Sequence, residues 1–468
     1  MNINIKKTAL LFASLLILAS CKIREDYDRK TDVVEEKLFR TDELPTDSSS
    51  IADISWKEFF TDAVLQKHIE KALENNLDVR MAIQSIISAE SYLKQSKNQY
   101  FPTLSVGPGY SFTTSSLNTQ FGQIIGQRTY INQFDITASI SWEADIWGKL
   151  RSQEKAQMAS YLSSVAGHRA VKSSLVASVA SAYYQLLALD EQKKTINETI
   201  VLRKKNLETT KALKDAGSLT EVAVQQSEAL VYNAESSLID IETQIQILEN
   251  SISLLQGIPS QTVERTNLSQ QILPNKLQLG YSAKLLANRP DVMQAEYNLM
   301  QTYELTNAAK AAFYPSLTLT GSGGVQGIDV DKLFSAQSLF ASVVAGLTQP
   351  VFNKRQIRTA YEVSLANRET AYLNFRKALL TAGKEVSDAL RTYRVQDDFI
   401  ALKQREADAY RKSVEYSQEL VNYGMANYLE VITASVNHLN AELSIVNAKY
   451  SKMNAGIQLY QALGGGWK

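Results

Sequence analysis

The sequence predicts a mainly α-helical protein with a small β part, built twice over. Each copy carries two β-strands followed by a long helical hairpin, so one chain supplies four strands. Three observations predict this. Tyr100-Phe101-Pro102-Thr103-Leu104 returns as Phe313-Tyr314-Pro315-Ser316-Leu317, 213 positions later. At each copy the apolar period falls from about 3.6 to 2, which marks a helix handing over to a strand. After each strand pair comes a long run without proline, from about Gly148 to Ala216 and from about Asn353 to Tyr423.

Composition narrows the class. The 468 residues are ample for a large core, and Lys+Arg and Asp+Glu both number 49. That balance offers no polycationic surface for nucleic acid. Gly (20) and Pro (8) are scarce, as in long packed helices. The single cysteine forbids an internal disulfide. His68, His168 and His438 are scattered, with no metal-ligand spacing.

Residues 1–20 read as an export signal. Lys6-Lys7 form the positive region, and the apolar run Thr8 to Ile17 is too short to span a bilayer. The run ends Leu18-Ala19-Ser20-Cys21, which resembles a bacterial lipobox in which Cys21 is acylated and becomes the mature N-terminus. An ordinary signal with a chance cysteine is the alternative. Acylation would anchor the chain without spanning the membrane. Residues 21–55, charged and rich in Ser, Asp and Thr, form a lipidated strap with little structure of its own.

The first structural repeat covers residues 56–258. From Trp56 to Gln99 the period is helical, with a break at Asn75-Asn76. Proline disfavours the α conformation in the preceding residue, so Phe101 and Tyr314 should end helices. After Pro102, Leu104, Val106, Tyr110 and Phe112 take one face of a strand, and Ser105, Gly107, Gly109 and Ser111 the other. Phe134, Ile136, Ala138, Ile140 and Trp142 alternate in the same way. One apolar face, one small or polar face and aromatics near the ends describe a transmembrane β-strand. In the second copy Leu317, Leu319, Gly321 and Gly323 form the third strand. Leu339, Ala341, Val343, Ala345 and Leu347 form a fourth, less regular one. Loop tips fall near Leu117–Gln127 and Gly327–Ala336. Four strands cannot close a barrel, and an open edge is not tolerated in lipid. Three chains would close a twelve-stranded barrel, so the strand count implies a trimer.

Each proline-free run makes a helix roughly 100 Å long at 1.5 Å per residue. Helices of that length must pack sideways on similar helices. Both end at a glycine, in Gly217-Ser218-Leu219-Thr220 and Gly424-Met425-Ala426-Asn427. Glycine supplies the left-handed cap, and Thr220 or Asn427 is placed to N-cap the returning helix. Those helices run to about Leu255 and Leu463. Residues 259–283 are a connector, and 284–468 the second repeat.

In this order, and twice over, these features resemble the TolC/OprM-type outer-membrane factors, specifically the lipidated subfamily often labelled NodT-like. The resemblance covers about Trp56 to Trp467. It also rests on Asp145-Ile146-Trp147-Gly148-Lys149 and its echo Gln349-Pro350-Val351-Phe352-Asn353-Lys354. It implies a homotrimer, with a twelve-stranded barrel in outer-membrane lipid and an α-helical tunnel in the periplasm. The function implied is the exit duct of a tripartite efflux system for small toxic compounds or drugs, a multidrug-resistance role without enzymatic chemistry. The partners implied are a periplasmic adaptor (a membrane fusion protein), docking at the Gly217–Thr220 and Gly424–Asn427 turns, and an inner-membrane RND-type pump. No cofactor or metal is implied beyond the lipid on Cys21. In the family the helix after the second turn carries a hydrophobic constriction and an acidic ring. Leu429 matches the hydrophobic position, Thr433 stands where the ring aspartate would be, and Glu430 takes the first of two gate aspartates seen in TolC-like members. In the first half an aspartate position becomes Ala223, with Glu221 nearby. Glu430 therefore either supplies the one acidic ring or is a solvated outward residue.

Other readings explain less. No phosphate-binding loop or catalytic grouping supports an enzyme, and Gly321-Ser322-Gly323-Gly324 precedes no helix. A structural coiled-coil lipoprotein leaves the duplicated strands without purpose. A duct for type I protein secretion stays within the family, and the lipobox leans away from it.

Overall fold

The computed structural model describes residues 24–28, Leu38, 51–272 and 288–468. The expected signal (1–20), Cys21, most of the strap and the end of the connector lie outside the described residues. In the first copy, helices α1 (Trp56–Phe59), α2 (Ala63–Asn75) and α3 (Leu77–Asn98) lead to strand β1 (Thr103–Thr114). Helix α4 (Gln120–Ile125) and strand β2 (Tyr130–Ala144) follow, then the long helix α5 (Lys149–Asp215) and the returning helix α6 (Glu221–Leu255). The second copy contains α7 (Pro290–Ala311), β3 (Ser316–Gly327), β4 (Leu339–Thr348), α8 (Gln356–Asn422) and α9 (Tyr428–Ala462). The duplication is metrical: α5 and α8 are each 67 residues, and α6 and α9 each 35. β2 and β4 differ, at 15 and 10 residues.

Three local departures from the sequence reading have plain causes. The helices stop at Asn98 and Ala311, before Phe101 and Tyr314. Those residues instead close turns, with Phe101 N donating to Asn98 O (3.0 Å) and Tyr314 N to Ala311 O (3.1 Å). The first loop tip holds α4, because Thr119 caps it and Gly126 ends it in a left-handed conformation. Helix α8 begins later than Asn353. Lys354 (φ 52°) and Arg355 (φ 67°) take the left-handed region that Gly148 (φ 74°) fills in the first copy.

The chain forms two compact units. The first comprises 24–28, 87–163 and 296–374; the second comprises Leu38, 51–86, 164–272, 288–295 and 375–468.

The first unit holds an antiparallel sheet in the order β1-β2-β3-β4. Its register joins the apolar positions into one face. Leu104 pairs with Ile140, Ile140 with Gly321 and Gly321 with Val343, and Trp142 pairs with Leu319 and Leu319 with Ala345. On the opposite face Ser105, Ser139, Ser322 and Ser342 form a row across all four strands. The apolar face is uncovered: Leu104 is 70% exposed and Val343 77%. Among the described residues no helix is long and apolar enough to cross a membrane.

Aromatic donors tie the strands to the proline junctions. Trp142 Nε1 donates to Tyr100 O (2.8 Å), and Trp147 Nε1 to Pro315 O (2.7 Å). The Asp145 carboxylate accepts from Leu150 N (2.9 Å) and Arg151 N (3.0 Å), satisfying orphan donors of the first turn of α5. Tyr100 donates to Glu154 (2.9 Å), and burial together with that carboxylate pushes its phenol up to about 12.

In the second unit the α5–α6 seam buries Leu186, Leu189, Ile196 and Ile200 against Ala234, Ile241, Ile245 and Ile252. The α6 residues follow the seven-residue repeat of a coiled coil. All four long helices end alike. At Gly217, Gly257, Gly424 and Gly464, φ is positive and the next amide reaches back five residues, as in Ile258 N to Ser253 O (3.1 Å) and Gly465 N to Tyr460 O (2.9 Å). This is the Schellman arrangement. The two inner ends are gripped by equivalent positions with different chemistry. Asn76 Nδ2 donates to Leu255 O (2.9 Å), and Arg289 Nη1 to Ala462 O (3.0 Å).

Asp62 organises a further node. Its Oδ1 accepts from Val64 N (2.8 Å) and Leu65 N (3.4 Å), capping α2. Its Oδ2 accepts from Tyr183 OH (3.0 Å), Thr266 Oγ1 (2.6 Å) and Gln271 Nε2 (2.8 Å). Burial alone would raise its pKa, but these donors outweigh it and hold the carboxyl below its ordinary value.

Candidate gate and docking turns

The turn residues singled out in the sequence lie at the α5–α6 and α8–α9 ends, all within the second unit. Gly217 (φ 78°) accompanies Ser218 N donating to Leu213 O (2.8 Å). Gly424 (φ 71°) accompanies Met425 N donating to Leu420 O (2.8 Å). A Cβ at either glycine would meet nothing within 4 Å, so packing does not require glycine there; the backbone conformation does. Thr220 and Asn427 both occupy N-cap positions. Only Asn427 bonds through its side chain, accepting from Leu429 N (3.0 Å); Thr220 makes no such bond.

Beneath the turns the hairpins share a small apolar cluster of Ala223, Val421, Tyr428 and Val431, with Leu219, Ala426 and Ile432 against it. Ser227 Oγ donates to the Tyr428 hydroxyl at 2.9 Å, joining α6 to α9. Ala223 is 6% exposed within this cluster, so a carboxylate at this position would be desolvated.

The gate candidates Leu429, Glu430 and Thr433 lie on the exposed side of α9, opposite buried Tyr428, Val431 and Ala434. The Thr433 hydroxyl donates to Leu429 O (2.9 Å), so it brings no charge and no free donor. Glu221 and Glu430 are each acidic residues in the first turn of a returning helix. There the helix dipole favours a negative charge. The two are not alike. Gln225 and the Lys214 ammonium, 3.3 Å from Glu221, hold its carboxyl below the usual range. Glu430 has no ion pair among the described residues. Met425 (75% exposed), Tyr423, Val222 and Leu429 leave apolar surface at the tips. The sequence reading missed Val222 and Tyr423. Their signal was present in the pattern, since each is a large apolar residue beside a turn whose neighbours fill the buried cluster.

An uncovered apolar sheet, together with long helical hairpins that end in exposed turns, defines an outer-membrane channel class rather than a soluble fold. Comparison with known proteins gives the family. Residues 68–257 and 282–465 match the outer membrane efflux protein family, and the chain belongs to it. It is 26% identical over 466 residues to the cation efflux system protein CusC of Escherichia coli O157:H7, covering 98% of each chain. It is 26% identical to the probable outer membrane lipoprotein SilC of Salmonella typhimurium, covering 99% of each. A crystal structure of CusC superposes with a TM-score of 0.82 at 25% identity, covering 95% of this chain and 100% of that one. The protein is thus an outer-membrane efflux channel.

Proposed function

We propose that three copies of this chain form the exit duct of a tripartite efflux system. A lipid on Cys21 anchors each copy, and an RND-type inner-membrane pump feeds the duct through a periplasmic adaptor. The chain performs no chemistry of its own; the pump supplies the energy and selects among small toxic compounds or cations. The observation that carries this reading is the four-stranded sheet with one exposed apolar face, ending in β1 on one side and β4 on the other. Such a sheet is stable in lipid only when closed, and three copies give an even, twelve-stranded barrel.

The adaptor docks on Gly217–Thr220 and Gly424–Asn427, where the apolar tips lie open. Gly424→Val tests this. Open space around the added side chain confines the effect to the strained turn. Pump-dependent export should fall several-fold while trimer yield in the membrane stays near wild type. An equal loss of both would remove the docking role.

Leu429, Glu430 and Thr433 form the gate, with three Glu430 carboxylates as its acidic ring. In planar bilayers Glu430→Gln should lower cation preference. Unchanged conductance and selectivity would place Glu430 on the outer surface.

A further inference from the structure

Helix α7 buries polar groups in an unusual way. Glu296, Glu304 and Asn307 are only 2%, 6% and 6% exposed, and groups from the start of the described chain reach all three. Arg24 grips Glu304 with both ends of its fork, Nη2 to Oε1 at 2.8 Å and Nε to Oε2 at 3.3 Å. One residue on, the Asn307 amide pairs with the Glu25 backbone in both directions, donating to Glu25 O (2.8 Å) and accepting from Glu25 N (3.4 Å). The Glu25 carboxylate meets Lys310 (3.2 Å) and Tyr303 OH (3.4 Å). Tyr27 OH donates to Glu296 (3.3 Å), and its ring stands edge-on to Tyr303 with centroids 5.8 Å apart. These contacts run along one face of α7, all within the first unit.

That face reads as a receptor. Asn307 Nδ2 also donates to Glu304 Oε2 (3.3 Å), so without the N-terminal segment these two keep each other. Glu304 would nonetheless lose the Arg24 guanidinium, and Asn307 both of its bonds to the Glu25 backbone. These are charge-assisted and neutral hydrogen bonds, worth about 1.5–3 and about 0.5–1.5 kcal/mol each. The place of the receptor is informative as well. A Cβ on Gly148 would lie 4.0 Å from the Arg24 side chain, and Gly148 stands just beyond the end of β2. Arg24 is therefore held at the base of the strands. Cys21 is three residues before it in the sequence, a fully extended span of about 10 Å.

We propose that residues 24–27 are a docking segment for α7, and that the Arg24–Glu304 clamp holds the lipid-bearing N-terminus at the base of the barrel strands. The clamp turns a loose tether into an anchor fixed at one depth relative to the barrel. The anchoring part of this proposal rests on acylation of Cys21; the docking part does not.

The test uses the full-length protein purified from the outer membrane. Arg24→Gln, Arg24→Glu, Glu304→Arg and the charge swap combining the last two are compared by amide exchange over residues 24–28 and by the mass of the N-terminal peptide. Each single change should speed exchange of the Glu25 to Tyr27 amides at least tenfold, and the swap should restore most of the protection. Arg24→Gln alters only the docked segment and keeps the test valid if Glu304→Arg does not fold. Fast exchange in the wild type, or protection indifferent to Arg24, would overturn docking. A swap that restores nothing would overturn the clamp. An N-terminal peptide without acyl mass would overturn the anchoring part alone, leaving the exchange result to decide docking.

Discussion

Gly257→Ala is expected to destabilise the fold by about 3 kcal/mol, against about 1 kcal/mol for Gly217→Ala, although both glycines end a helix in the same way. The backbone term is shared: φ is 65° at Gly257 and 78° at Gly217, and a side chain in that region costs about 1–2 kcal/mol. The surroundings are not shared. A Cβ at Gly257 would lie 2.5 Å from the Asn75 carbonyl oxygen, and one at Gly464 would run into the equivalent Asn288 carbonyl. Backbone cannot step aside as a flexible side chain would, so overpacking adds about 1–3 kcal/mol. Thermal unfolding of the detergent-solubilised channel, followed by its helical signal, checks this. Equal shifts for the two variants would mean that the contact with Asn75 carries no energetic weight.

The second large effect is at Asp62. Asp62→Ala removes a helix cap worth about 1 kcal/mol and the acceptor of three side-chain hydrogen bonds, a combined loss of about 2–3 kcal/mol at neutral pH. The sign of its pH dependence follows from linkage. Its folded-state pKa lies below the ordinary value of 3.8, so the folded chain binds this proton less readily than the unfolded one. The stabilisation is complete above that ordinary value and is lost as pH falls through the depressed one. Alanine has no such slope. The stability gap between wild type and variant should therefore narrow as pH falls from the ordinary value of 3.8 through the depressed one. A gap that stays constant over that range would show that Asp62 acts by shape and not by charge.

What was legible in the sequence was local. Proline at 102 and 315, two-residue alternation and glycine at the turns act through a few neighbouring backbone angles, and the strands, both hairpins and all four helix ends stand where those signals place them. What was not legible spans the chain. Asn76 and Arg289 perform one task, holding the last carbonyl of α6 and of α9, yet share no chemistry that would align them. Trp147 finds Pro315, and Arg24 finds Glu304, across separations that no periodicity encodes. Left-handed Lys354 and Arg355 also escape a reading in which glycine marks such conformations. At the candidate gate the sequence offered residue identities but not pairing. Only the fold separates Glu221, neutralised by Lys214, from Glu430, which has no ion pair among the described residues.

The sheet's two outer strands bear on biogenesis. A lone copy carries an unpaired row of peptide groups along β1 and another along β4, and each such group left unsatisfied in hydrocarbon costs several kcal/mol. On the proposed three-chain barrel, insertion of one chain at a time is strongly disfavoured, because the penalty over a strand of this length exceeds the stability of a whole domain. Joining the copies and entering the bilayer must then be coupled steps. The rate of appearance of finished channels should depend steeply on how many chains are present at once, and any factor that shields those rows beforehand would act as a catalyst of assembly.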